Sequence, residues 1–87
     1  MASIQEVKAG LAQAAEQGST SLQQLRASAD ALDRMLTQLQ AVAAGTAHPL
    51  VSEAISRCEQ SKKQLEEAAT LMQGAGEATR RYAGILG

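Results

Sequence analysis

The chain has 87 residues, a formal net charge of −1 and a 45% hydrophobic composition that includes no Phe, no Trp and a single Tyr. This length fits one domain, 1–87, and the near-neutral charge argues against nucleic acid as a partner. Much of the hydrophobic content is alanine, and a lone Cys permits no internal disulfide, so one chain has little with which to stabilise a core. We therefore expect an assembly component that obtains further burial from another chain.

Targeting segments are not evident in the sequence. The first ten residues lack the basic start and the apolar run of a signal peptide. The longest uncharged stretch, 35–52, contains two Gln, a His and a Pro, so it does not resemble a membrane span. These features predict a soluble, cytoplasmic protein with no membrane span.

The first half of the chain has the periodicity of a long helix. Ser3 and Glu6 have the spacing of a capping box that would begin a helix. Apolar or small residues then recur every seven positions in two rows, as in a helix that packs along its length. The first row is Ile4, Leu11, Gly18, Leu25, Leu32 and Leu39, and the second is Val7, Ala14, Ser21, Ser28, Met35 and Val42, with Leu22, Ala29 and Leu36 beside it. The pattern predicts a helix over about 3–44.

The second half repeats this pattern after a turn. Gly45 and Pro49 are a helix-stopping and a helix-starting residue, which predicts a turn over about 45–49 and a helix over about 50–84. The seven-residue repeat resumes with Val51, Cys58, Leu65, Met72, Thr79 and Leu86. Acid-before-base pairs four residues apart, such as Glu53 with Arg57, favour helix over strand.

The short turn makes the two helices antiparallel neighbours, so the predicted fold class is an all-α, coiled-coil-like two-helix hairpin. Facing residues then have numbers that sum to about 93, which sets Gly18 opposite Gly74 and Gly76. Two interpretations of these glycines are open: close approach or local fraying of continuous helices, or a real break that gives three helices or more. The unchanged heptad phase across Gly18 favours the continuous hairpin.

The apolar seam has too few large side chains for one hairpin, so we expect two hairpins to dimerise into a four-helix bundle. The partner is then the chain itself, as a homodimer, or a related helical hairpin. The residues predicted to form this core or dimer seam are Leu11, Leu22, Leu25, Leu32, Met35, Leu39, Ile55, Cys58, Leu65 and Met72. For the two methionines, an adaptable contact with a partner helix is the alternative to core packing.

The sequence contains no convergent set of acids, bases or nucleophiles. We therefore predict no catalytic residue, no cofactor, no metal site and no small-molecule substrate. His48 stands beside Pro49, where a turn or N-cap role explains it, and Cys58 falls at a seam position typical of a small buried thiol. One His and one Cys cannot complete a tetrahedral zinc site. Gly74-Ala75-Gly76 follows no strand and precedes no P-loop lysine, which argues against phosphate binding.

In size, hairpin form, alanine- and glutamine-rich helices and tail, the chain resembles the small helical hairpins of type VII secretion. These belong to the WxG-motif superfamily related to the early secreted antigens of actinobacteria; a related actinobacterial hairpin family fits equally. The family's tail signal is Tyr-x-x-x-acid, and the segment 82–86 has the tyrosine and the spacing, with Leu in place of the acid. The segment 44–49 has a glycine but no tryptophan where the WxG turn belongs. The resemblance implies a homodimer or heterodimer that is secreted without a cleavable signal peptide.

Tyr82 has two interpretations. Its ring either closes the open end of the hairpin against Val7 and Leu11, with its hydroxyl in water, or is displayed for recognition. The tail residues of the second interpretation are Arg81, Tyr82, Ile85 and Leu86, next to Arg80. We therefore expect a non-enzymatic protein–protein interaction module, as a type VII secretion-like substrate or export partner; the alternative is an intracellular structural or adaptor coiled coil.

Overall fold

The structure is a computed structural model that describes residues 2–87. Helix α1 spans Ile4–Ala43 and helix α2 spans Pro49–Leu86, with residues 44–48 between them. The two helices pack side by side as an antiparallel hairpin in a rod of 63 × 19 × 14 Å. Residues 2–87 contain no strand. The predicted all-α two-helix hairpin is confirmed.

Both helices begin at side-chain caps that satisfy free backbone N–H groups. The Glu6 amide donates to the Ser3 hydroxyl oxygen at 3.1 Å, as the capping-box spacing predicted. The Leu50 amide donates to Nδ1 of His48 at 3.1 Å, and Pro49 occupies the first helical position. At its other end α2 continues to Leu86, so the tail is part of the helix.

The helices meet along a single seam with a strict heptad repeat. Its residues are half-buried or buried and recur at alternating spacings of three and four, at heptad positions a and d. The seam consists of Lys8, Leu11, Ala15, Gly18, Leu22, Leu25, Ala29, Leu32, Leu36 and Leu39 in α1, and Val51, Ile55, Cys58, Lys62, Leu65, Ala69, Met72, Gly76, Thr79, Ala83 and Leu86 in α2. Seam residues of the two helices that line one hollow, such as Gly18 and Gly76, have numbers that sum to 94, close to the predicted value.

The second row of the seam lies one position later in α1 than the row read from the sequence. The structure places Leu22, Ala29 and Leu36 in the seam, whereas Ser28, Met35 and Val42 are exposed. Both rows keep the seven-residue period, but only a step of four from Leu32 turns the next side chain toward α2. Met35, expected in the seam, is therefore half exposed beside it.

The glycines lie inside continuous helices. α1 passes through Gly18, and α2 through Gly74 and Gly76, so residues 2–87 form two helices and no third. Gly18 and Gly76 line one hollow of about 240 Å³ between the helices. A Cβ built on Gly18 would have no neighbouring atom within 4 Å. This layer of the seam is thus a gap and not a close approach of two backbones.

We expect Gly18→Ala to raise the free energy of unfolding by about 0.5–1 kcal/mol, because alanine is the better helix former and its methyl group meets no neighbour. Urea unfolding followed by circular dichroism at fixed protein concentration measures the change. Gly74→Ala is the matched control, since Gly74 is exposed on α2 and equally free of neighbours. A loss of stability in Gly18→Ala alone would contradict the gap.

Candidate interaction surface

The seam leaves most of each helix uncovered. Among the described residues, Leu36 at 9% exposure and Cys58 at 7% are the buried ones, and no side chain is fully enclosed. The other predicted seam residues that lie at positions a and d are half-buried: Leu11, Leu22, Leu25, Leu32, Leu39, Ile55, Leu65 and Met72. The structure therefore brings together all the predicted seam residues except Met35, without enclosing them.

One side of the hairpin, the charged face, consists of heptad positions e and b of both helices. Position-e residues from both helices line two shallow hollows above the seam, so these rows share one side. The charged residues of this face are Glu16, Arg26, Asp30, Asp33, Glu59, Lys63, Glu66, Glu77 and Arg80. Six of these residues are acids and three are bases, which gives a solvated surface of mixed sign and not a basic patch.

A cross-helix ion pair lies at the edge of this face. Nζ of Lys62, a seam residue of α2, donates to Oδ1 of Asp33 on α1 at 2.6 Å and lies 3.9 Å from Oε1 of Glu66. The hydrogen bond to Asp33 and the charge of its carboxylate raise the pKa of Lys62 above its ordinary value of 10.5. The long Lys62 stem fills a seam position while its charged end reaches the solvated face.

The opposite side, the low-charge face, consists of heptad positions g and c. In α1 these positions hold Val7, Gly10, Ala14, Gln17, Ser21, Gln24, Ser28, Ala31, Met35, Gln38 and Val42, and in α2 they hold Leu50, Ala54, Arg57, Ser61, Gln64, Ala68, Leu71, Ala75, Ala78, Tyr82 and Ile85. Arg57 is the single charged residue of this face, and its guanidinium pairs with Glu53 of the same helix at 2.8 Å.

The large apolar side chains that remain exposed are concentrated on the low-charge face. Residues 2–87 contain seven exposed large apolar side chains, and six of these lie at positions g or c. They are Met35, Val42, Leu50, Leu71, Tyr82 and Ile85, and the seventh is Ile4 at the start of α1. The charged face has none of them. The hairpin is therefore strongly two-sided.

The tail residues do not form one continuous strip. Arg81, Tyr82 and Ile85 are exposed on the last turns of α2, whereas Leu86 is half-buried in the seam. Ile85 is 75% exposed. Tyr82, 49% exposed, belongs with Ile85 to the low-charge face.

The seven-residue rows alone do not reveal the low-charge face, although the sequence contains a signal for it. Every charged residue except Arg57 falls outside positions g and c once the heptad phase is fixed. The row of Val7 through Val42 is apolar or small at every seventh position, a pattern that predicts a place in the seam. The structure places that row beside the seam.

Cys58 and His48, the two residues considered for a chemical role, both occupy structural positions in the hairpin. Cys58 is a buried free thiol in the seam, and His48 caps α2. Within residues 2–87, His, Cys, Asp and Glu side chains form no group of three with the arrangement of metal ligands. No helix in this part of the chain has the length and apolarity needed to cross a membrane.

Comparison with protein-family models, with curated proteins and with solved structures finds no match to this chain. The resemblance to type VII secretion hairpins therefore stays an expectation from the sequence.

We expect Asp33→Asn to lower the stability of the hairpin below pH 10.5 and to have less effect as the pH rises above that value. The raised pKa of Lys62 means that the folded state binds its proton more tightly, so this stabilisation is present at lower pH and is lost as Lys62 deprotonates. Urea unfolding midpoints of the wild type and the variant, measured across this pH range, give the difference in stability. The titration of other groups affects both proteins and cancels in this difference.

Asp30→Asn is the control for this experiment. Asp30 is exposed on the same helix, and it forms no ion pair among the described residues. A pH-independent difference between wild type and Asp33→Asn, or an equal effect of Asp30→Asn, would contradict the role of the cross-helix pair.

Proposed function

We propose that the chain is a non-enzymatic protein–protein interaction module whose hairpin associates with a second hairpin in a four-helix bundle. The supporting observation is the surface that one hairpin leaves exposed. The chain exposes 6410 Å², whereas a compact protein of 9.1 kDa exposes about 4,900 Å². The excess of roughly 1,500 Å² is what each chain would lose in a large, permanent dimer interface.

The seam alone does not provide the burial of a stable small domain. Relative to an extended chain of the same mass, the hairpin hides only about half of its surface, less than the roughly 60% that a 60-residue domain hides. Alanine, glycine and a thiol fill much of the seam, so each layer removes little apolar area from water. Association with a second hairpin is the simplest source of the missing burial.

The partner in this proposal is the chain itself or a related helical hairpin, in the cytoplasm. A net charge of −1 sets little electrostatic repulsion between two copies. The mixed signs of the charged face support neither nucleic acid nor an anionic surface as the partner. An intracellular structural or adaptor role is compatible with the same bundle.

A second candidate function is export, as a type VII secretion-like substrate or export partner whose tail is read by other proteins. The exposure of Arg81, Tyr82 and Ile85 on the last turns of α2 favours it. In this candidate function Tyr82 is left free for recognition and contributes nothing to the bundle.

We expect light scattering to give the mass of a dimer at high protein concentration, and circular dichroism to show helix content falling on dilution. Both follow if folding depends on association, because dissociation leaves a hairpin with too little burial. A monomer that keeps full helix content at the highest concentration would contradict the proposal.

Tyr82→Ala separates the two candidate functions. If the tail belongs to the bundle, we expect self-association to weaken about tenfold through lost apolar burial. Tyr82→Phe, which keeps the ring, should associate like the wild type. Unchanged self-association of Tyr82→Ala, together with loss of secretion by the source cells, would favour export instead.

A further inference from the structure

We infer that the low-charge face is the surface on which a second copy of this chain docks, with both charged faces directed to solvent. This inference rests on the proposed self-association and adds which side of the hairpin performs it. The second copy presents the same face, so the interface is isologous.

The distribution of charge selects this side. The low-charge face carries Arg57 alone, whose pairing partner Glu53 lies on its own helix. Docking a second copy on the low-charge face therefore removes almost no charged group from water. Docking through the charged face would instead desolvate Lys62 with its partners Asp33 and Glu66, at a cost that burial of apolar atoms there could not offset.

The distribution of side-chain size fits a bundle on the same side. The middle of the face holds small residues such as Ser28, Ser61 and Ala68, which let helices from two hairpins approach closely. Most of the large apolar side chains lie toward its ends, with Val42 near the turn and Tyr82 near the termini, and Leu71 lies in the middle on α2. They supply apolar area that the seam lacks.

The size of the face matches a stable dimer. The rod measures 63 × 19 Å in its two longer dimensions, so one face presents on the order of 1,200 Å². A standard interface uses about 800 Å² per partner. A face whose one charged residue is already paired within its own helix also meets its own copy with little like-charge repulsion, whereas it offers a charged partner little to pair with.

The test compares two double variants that add the same charge on opposite sides. Ser28→Glu with Ser61→Glu places two carboxylates on the low-charge face, and Ser19→Glu with Ser52→Glu places two on the charged face. All four serines are exposed, with one on each helix in both variants. We expect the first variant to raise the dimer dissociation constant at least about 100-fold, and the second to change it only a few-fold. Sedimentation equilibrium measures both.

A second measurement does not depend on whether the charged variants fold. Ser28→Cys and Ser19→Cys each introduce a thiol at an exposed position, and alkylation located by mass spectrometry distinguishes it from the buried Cys58. We expect the thiol at position 28 to react at least about tenfold more slowly in the dimer than on dilution. The thiol at position 19 should react at the same rate in both conditions.

The outcomes separate this inference from the proposed function. A wild type that stays monomeric overturns both. A wild-type dimer that dissociates with carboxylates at positions 19 and 52, or that leaves position 28 fully reactive, overturns the assignment of the face and leaves self-association intact.

Discussion

Two packed helices shield each other only along the strip where their surfaces meet. In this hairpin the strip is two residue rows wide, and alanine, glycine and a cysteine hold seven of its 21 positions, against eight for leucine. Even Leu36 and Cys58, its best-shielded residues, keep some exposure. The narrow seam explains both the large accessible surface and the apolar side chains that remain in contact with solvent.

A seam of small, similar residues specifies its own alignment weakly, since a shift of one heptad changes few contacts. The Lys62–Asp33 pair favours the observed alignment, because shifting α2 by one heptad would separate the two charged groups. Polar residues at seam positions have this role in coiled coils, at a cost in stability. The glycine layer at Gly18 and Gly76 is a second point that favours this alignment, because only one alignment sets glycine opposite glycine.

The sequence was sufficient to predict the helices, the turn, both caps and the approximate pairing, because these depend on local chemistry and on a seven-residue period. It did not determine whether Met35 or Leu36 faces α2, since steps of three and of four both preserve that period. It also gave no reason to place Lys62 in the seam. A charged side chain is not expected there without a partner, and that partner, Asp33, lies on the other helix. The low-charge face can be identified only when the heptad phase is known, and this phase is fixed by the pairing of α1 with α2.

The strict 3.5-residue spacing of the seam has a geometric consequence for the surface beside it. Helices that keep this spacing wind around each other as a left-handed supercoil with a pitch of about 150 Å. Over a rod 63 Å long, each face therefore turns through roughly 150° about the long axis. A flat surface can touch such a spiral band along only part of its length, whereas a body with the same handedness and pitch can follow it from the turn to the termini.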